Sequence, residues 1–416
     1  MSSGHEEHIH PEPTGFWKKY VFSIDHKVIG KWYFFTALFF LFFGGFLALL
    51  IRWQLAYPNQ PFPVLGQAFA GSLLFDSSGS ISMKAYPQIF SMHGLIMIFF
   101  VIIPILVGAF GNFLIPLHIG ARDVAFPVLN AMSYWVFLAA SILVVAAFFV
   151  PGGPPGAGWT LYPPLSDISI AAQGSGMGMN LALGGIILLG FSSIMGGLNF
   201  LVTIAKMRAP GMTWSRLPLV TWAQFVTAVF QTLATPVLAA ALSILLVGRL
   251  FDMPFFRPAG LQFEDNPVSF AGGGHPLMWQ HLFWFYSHPA VYILVLPGMG
   301  VASDLIATFA RKPIFGYKAM VISLITIMGL GFIVWGHHMF VSGMGKAMER
   351  FFMISTMFIA LPSGVKVFNW LATLWRANIR FTTPMLFALS FVSMFIIGGL
   401  SGLFMASTPV DRHIHD

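Results

Sequence analysis

At 416 residues, 57% of them hydrophobic and 8% charged, with a mean hydropathy of +0.80, the chain is too apolar for a water-soluble domain of ordinary make-up. The formal charge of +7 comes from basic residues dispersed over loops without interleaved stacking aromatics, which argues against a nucleic-acid partner. The absence of cysteine excludes disulfides, thiolate metal sites and iron–sulfur ligation by this chain.

Residues 1–24 are polar and lack the short apolar core of a cleavable signal peptide, so they read as a disordered cytoplasmic tail. Metal binding by its His5, His8 and His10 is the weaker reading. Nine apolar runs follow, at 28–52, 89–117, 127–150, 178–205, 218–248, 278–306, 317–342, 350–374 and 382–407. A run of roughly 20 apolar residues crosses ~30 Å of hydrocarbon, and backbone groups in lipid must be satisfied internally. The fold is therefore predicted to be all-α, a polytopic membrane helical bundle of nine transmembrane helices forming one domain over 25–416. With the N-terminus in the cytoplasm, Lys18, Lys19, Lys27, Lys31, Arg122, Lys206, Arg208, Arg216, Arg311, Lys312, Lys318, Arg376 and Arg380 fall inside, and fewer basic residues fall outside. The longer outer connections, 151–176 and 251–277, are rich in Gly and Pro and are expected to form a surface on which a partner docks.

Polar residues inside such runs need a reason. His288 and Tyr292 are four apart and share a helix face, so their side chains can touch. His337 and His338 are adjacent; in an ideal helix they diverge by about 100°, yet they can converge on one ion if the helix presents its edge. Any one of these histidines alone reads as a hydrogen-bonded residue between helices, but three together in apolar segments point to a metal. Imidazole suits copper, iron and zinc, and three imidazoles leave a coordination position open. Lys366 in mid-span costs about 2.5 to 3.5 kcal/mol on insertion scales, which disfavours a purely structural role.

Several ordered motifs carry a resemblance: Ser91-Met-His93-Gly, Gly111-Asn112-Phe-Leu-Ile-Pro, Gly120-Ala-Arg-Asp123, Gly158-Trp-Thr-Leu-Tyr-Pro-Pro, Gln280-His-Leu-Phe-Trp-Phe, Trp335-Gly-His337-His338-Met-Phe and Gly364-Val-Lys366-Val-Phe-Asn-Trp. From about Asp25 onward the chain resembles subunit I of the haem-copper oxygen reductases, the cytochrome oxidase family. The resemblance implies a low-spin and a high-spin haem together with copper. It places the copper on His288, His337 and His338, makes Tyr292 the tyrosine that becomes linked to its neighbouring histidine, and makes His93 an axial ligand of the low-spin haem. Arg52 matches a residue near that haem's substituents, beside the equal reading of an interfacial anchor. Lys366 and Ser363 resemble a lysine channel leading toward Tyr292. Asp123, with Asn112, Asn130, Ser192, Ser193 and Asn199, resembles an aspartate channel.

That channel ends at a glutamate in the best-known members, where this sequence has Ala290. Tyr286 and Ser287 match a Tyr-Ser-His-Pro variant, and Tyr286, one turn before Ala290, is expected to act as the proton gate in the glutamate's place. His415 and Asp416 match a pair that helps hold magnesium. The next residues of the family pattern, with the remaining haem ligands and the last three spans, lie beyond Asp416, so the chain is expected to be truncated before the tenth helix. The implied activity is reduction of O₂ to water coupled to proton pumping in a bacterial cytoplasmic membrane. The implied partners are a copper-bearing subunit II, cytochrome c and subunit III. Phe43, Leu47 and Ala85 stand where quinol-oxidising relatives carry polar residues, and only Gln88 remains, which favours cytochrome c over quinol. Nitric oxide reduction is the rival enzymatic reading, opposed by Tyr292 and the lysine channel; the non-enzymatic rival is an incomplete, non-catalytic scaffold of oxidase ancestry.

Overall fold

The structure, a computed structural model, describes residues 15–263, 266, 267 and 273–415. His5, His8, His10 and Asp416 lie outside the described residues. Among the described residues nine apolar helices run in order: α1 (His26–Ala56), α2 (Tyr86–Ile119), α3 (Pro127–Phe149), α4 (Met177–Lys206), α5 (Leu219–Phe251), α6 (Pro276–Ala310), α7 (Tyr317–Gly331), α8 (Lys346–Leu374) and α9 (Thr383–Met405). A short α10 (Thr408–Ile414) follows. All but α7 and α10 are long and apolar enough to cross a membrane, so the chain is a multi-pass membrane protein.

Local chemistry sets the ends and bends of these helices. Asp25 starts α1 by accepting from the Lys27 and Val28 amides at 2.8 and 3.1 Å. Pro104 lies inside α2 and lacks an N–H, and the helix widens into π turns over Met97–Ile102 and Pro104–Ala109. Gly44 lets α1 approach α2 closely, because a Cβ there would stand 2.8 Å from Met97 Sδ. Within the predicted tail of 1–24, Trp17–Val21 form a helical turn, and the Tyr20 carbonyl accepts from Trp32 Nε1 at 2.9 Å; residues 1–14 lie outside the described residues.

The seventh predicted span, 317–342, is not one helix. It stops at Gly331, and His337 and His338 lie instead on a separate 3₁₀ turn, Trp335–Met339. Two aromatic rings pack against glycines on either side of the break. Phe230 packs where a Cβ on Gly331 would come within 2.8 Å, and Phe352 fills the space a Cβ on Gly336 would take. The run is apolar throughout because the helix exposes apolar residues such as Ile322 and Ile325 and the turn is packed inside the bundle, so hydropathy does not mark the break.

The outer connections are tied to the bundle rather than loose. Arg249 donates to Asn180 Oδ1 at 2.7 Å and to the carbonyls of Ser166 and Ser175. Arg257 pairs with Asp167 at 2.8 Å. Burial pushes the Asp167 carboxyl above its usual range, against the pull of Arg257 and Arg249.

Candidate metal centre and proton routes

His288 comes from the middle of α6, and the 3₁₀ turn brings His337 and His338 up to it. Each residue offers a ligand atom, and these atoms all lie within 4.8 Å of one another. His288 Nδ1 and His338 Nε2 are 3.3 Å apart, and the His337 ring centroid is 4.6 Å from that of His288. Two imidazole nitrogens bound at about 2.0 Å to one tetrahedral ion would stand about 3.3 Å apart, so the spacing fits a shared cation. His288 is 4% exposed and its Nε2 has no hydrogen-bond partner, an orphaned buried polar atom.

The surroundings hold these rings in place. Trp284 stacks flat on His338, with centroids 3.9 Å apart and planes 7° apart, and its indole N–H donates to Tyr162 OH. His337 Nδ1 lies 3.0 Å from Thr356 Oγ1, which leaves Nε2 to face the other two rings. Tyr292 meets His288 edge to face at 4.8 Å and is backed by Phe230, stacked at 5.7 Å. Tyr286 is buried against Phe99, with rings near parallel at 6.3 Å, and Ser287 Oγ is buried with no hydrogen-bond partner.

His93 sits in the first part of α2, where its Nδ1 lies 2.9 Å from the Gly44 carbonyl. That contact leaves its Nε2 for a ligand, as an axial haem histidine requires. Arg52 is exposed near the end of α1.

Four of the six residues expected along the aspartate route come together. Asn112, Asn130, Ser192 and Ser193 line one cavity of about 40 Å³ between α2, α3 and α4. Asn130 Nδ2 donates to Asn112 Oδ1 at 2.6 Å. Below it, Asn199 accepts from the Phe126 amide at 2.9 Å, and Asp123 accepts from the Val124 amide at 2.7 Å. Burial raises the Asp123 carboxyl above its usual range, with the Val124 amide opposing. The sequence reading missed Tyr33, Ser133 and Gln231, which line the same cavity. Tyr33 OH bridges Ser133 Oγ at 3.0 Å and Ser192 Oγ at 3.3 Å.

On the other side, Lys366 is 1% exposed, and its ammonium lies 5.5 Å from the Trp370 ring centroid, one turn along α8. Ser363 is half-buried one turn earlier. His415 Nδ1 pairs with Asp411 at 2.9 Å, and Arg412 grips Glu349 through two contacts at 2.7 and 2.8 Å.

Residues 28–416 match the family described as Cytochrome C and Quinol oxidase polypeptide I. The chain is 45% identical over 404 residues to the alternative cytochrome c oxidase subunit 1 of Bradyrhizobium diazoefficiens, covering 97% of this chain and 65% of that one. It is 43% identical over 407 residues to the cytochrome c oxidase subunit 1 of Thermostichus vulcanus, covering 98% and 67%. It is 42% identical over 400 residues to the quinol oxidase subunit 1 of Bacillus subtilis, covering 96% and 56%. The chain thus spans about two thirds or less of the length of these relatives. A helical membrane bundle that carries a convergent histidine site and matches over nearly its whole length belongs to the cytochrome c and quinol oxidase polypeptide I family.

Proposed function

We propose that this chain forms the core of a respiratory terminal oxidase that reduces O₂ to water and couples the reaction to proton pumping. The observation that carries the reading is the convergence of His288, His337 and His338 beside Tyr292. When bound, copper next to a high-spin haem would supply the electrons and the open coordination position at which oxygen is reduced. His288, His337 and His338 would hold the copper, and His93 would hold the low-spin haem. Trp284 keeps the His338 ring fixed by stacking, and Thr356 holds the orientation of the His337 ring. Tyr292, in contact with His288, has a phenol O–H that can give up a proton and an electron together.

The reaction consumes protons in a buried site, so this chain's polar routes must deliver them. Lys366 would serve the Tyr292 side. The Asp123 side runs through the cavity of Asn112, Asn130, Ser192 and Ser193 and then toward Tyr286. Tyr286 stands in for the carboxylate that Ala290 does not provide.

Cytochrome c is the favoured donor, delivered through a copper-bearing subunit II, with subunit III as a further partner. Leu47 and Ala85 are buried apolar residues, Phe43 lines an apolar groove with Phe39 and Phe46, and Gln88 is occupied by the Gly152 carbonyl at 2.6 Å. That neighbourhood offers little to a quinol headgroup. His415 is available to help hold magnesium. The setting is a bacterial inner membrane with the N-terminus in the cytoplasm.

The test uses the oxidase complex in sealed vesicles supplied with reduced cytochrome c. Wild type should consume oxygen and eject protons. Tyr286→Phe should lose most proton ejection per electron, at least about tenfold. Absence of oxygen consumption in wild type contradicts the function, and unchanged ejection in the variant contradicts the gate.

A further inference from the structure

Among the described residues, the eight long spans contain two acidic side chains, Asp304 and Glu349. Glu349 is neutralised by Arg412 at 2.7 Å. Among the described residues no cation pairs with Asp304. Its Oδ2 accepts from the Val220 amide at 3.3 Å, at the start of α5. A carboxylate within a membrane span is costly, so one without a counter-ion calls for a use.

Its position suggests that use. The approach of α6 to α5 is enforced one turn earlier, where a Cβ on Gly300 would stand 2.5 Å from Val220 Cα. The adjacent Ser303 is fully buried and faces the other way, accepting from Trp370 Nε1 at 2.9 Å. Lys366 lies over that same indole. Ser303 and Tyr292 are eleven residues apart on α6, close to three full turns, so they share a face with about 16 Å of rise between them. Asp304 is near the end of α6 that leads into Arg311 and Lys312, the end expected to face the cytoplasm. Asp304 thus adjoins Ser303 on α6, Ser303 holds the indole of Trp370, and Lys366 lies over that indole, with Tyr292 three turns further along α6.

We propose that Asp304 is the proton-collecting carboxylate of the Lys366 route, carried by this chain itself. Its carboxyl releases a proton inward toward Lys366 and regains one from the aqueous phase at that face. The proposal rests on the oxidase function proposed above.

The experiment is anaerobic reduction of the purified oxidase complex by excess dithionite, following haem reduction and, with a pH-indicator dye, proton uptake. Wild type, Asp304→Asn, Asp304→Glu and Lys366→Met are compared. Asp304→Asn keeps an acceptor for the Val220 amide, and Asp304→Ser replaces it if the amide lowers haem content. The proposal expects both Asp304→Asn and Lys366→Met to slow proton uptake and high-spin haem reduction at least tenfold. It expects Asp304→Glu to stay within twofold of wild type. If Lys366→Met slows the reaction and Asp304→Asn does not, Asp304 is not the collector and the oxidase reading stands. If the wild-type complex shows no haem reduction or oxygen consumption, the oxidase reading falls and the proposal falls with it.

Discussion

Replacing His288 with alanine removes the copper and lowers oxygen consumption by more than about 100-fold. Loss of a group that merely orients a metal ligand typically costs 10- to 100-fold, and loss of a ligand itself should exceed that. Among the described residues His288 supplies one of the three imidazoles of the cluster, and its Nδ1 stands 3.3 Å from His338 Nε2. The same substitution leaves His93 untouched, since that residue is anchored to Gly44 on a different pair of helices. Copper should fall by the one ion of this cluster per complex in elemental analysis, with the copper of subunit II and the low-spin haem signal kept. Copper retained at the wild-type ratio would contradict the assignment of this cluster.

Lys366→Met should separate stability from turnover. The substitution keeps length and volume but removes an ammonium that is 1% exposed within a span. Relieving that burial should leave the melting temperature of the complex unchanged or raised, since a central lysine costs about 2.5 kcal/mol or more. Turnover should nevertheless fall about 100-fold or further, the scale of losing a positioned proton-transfer group. A lysine serving only to pack over Trp370 would give the reverse pattern, lower stability with activity kept.

Much of this architecture is legible in the sequence because lipid imposes one rule on every span. Apolar runs of sufficient length must be helices, and eight of the nine predicted spans are. The seventh departs because the fold needs His337 and His338 on a tight turn facing α6. Hydropathy does not distinguish a buried turn from a buried helix, and the two glycines that allow the turn, Gly331 and Gly336, matter only once Phe230 and Phe352 are in place. The site histidines were legible individually, whereas their supports were not. Thr356 lies nineteen positions from His337 and on another helix, with nothing in its own neighbourhood to mark it. Tyr33, Ser133 and Ser192 belong to three different helices, and their hydrogen bonds exist only in the folded bundle. Asp304 reads in sequence as a carboxylate near the end of a span; only the Val220 contact and the absence of a cation partner among the described residues give it significance.

The most direct test of the central claim is elemental analysis of the purified oxidase complex together with a reduced-minus-oxidised spectrum. The account predicts one copper held by the His288, His337 and His338 cluster and two spectroscopically distinct haems, with His93→Ala removing the low-spin component. A complex that contains this chain at full occupancy yet carries neither copper at that cluster nor haem would contradict it, and would leave a membrane scaffold of oxidase descent in its place.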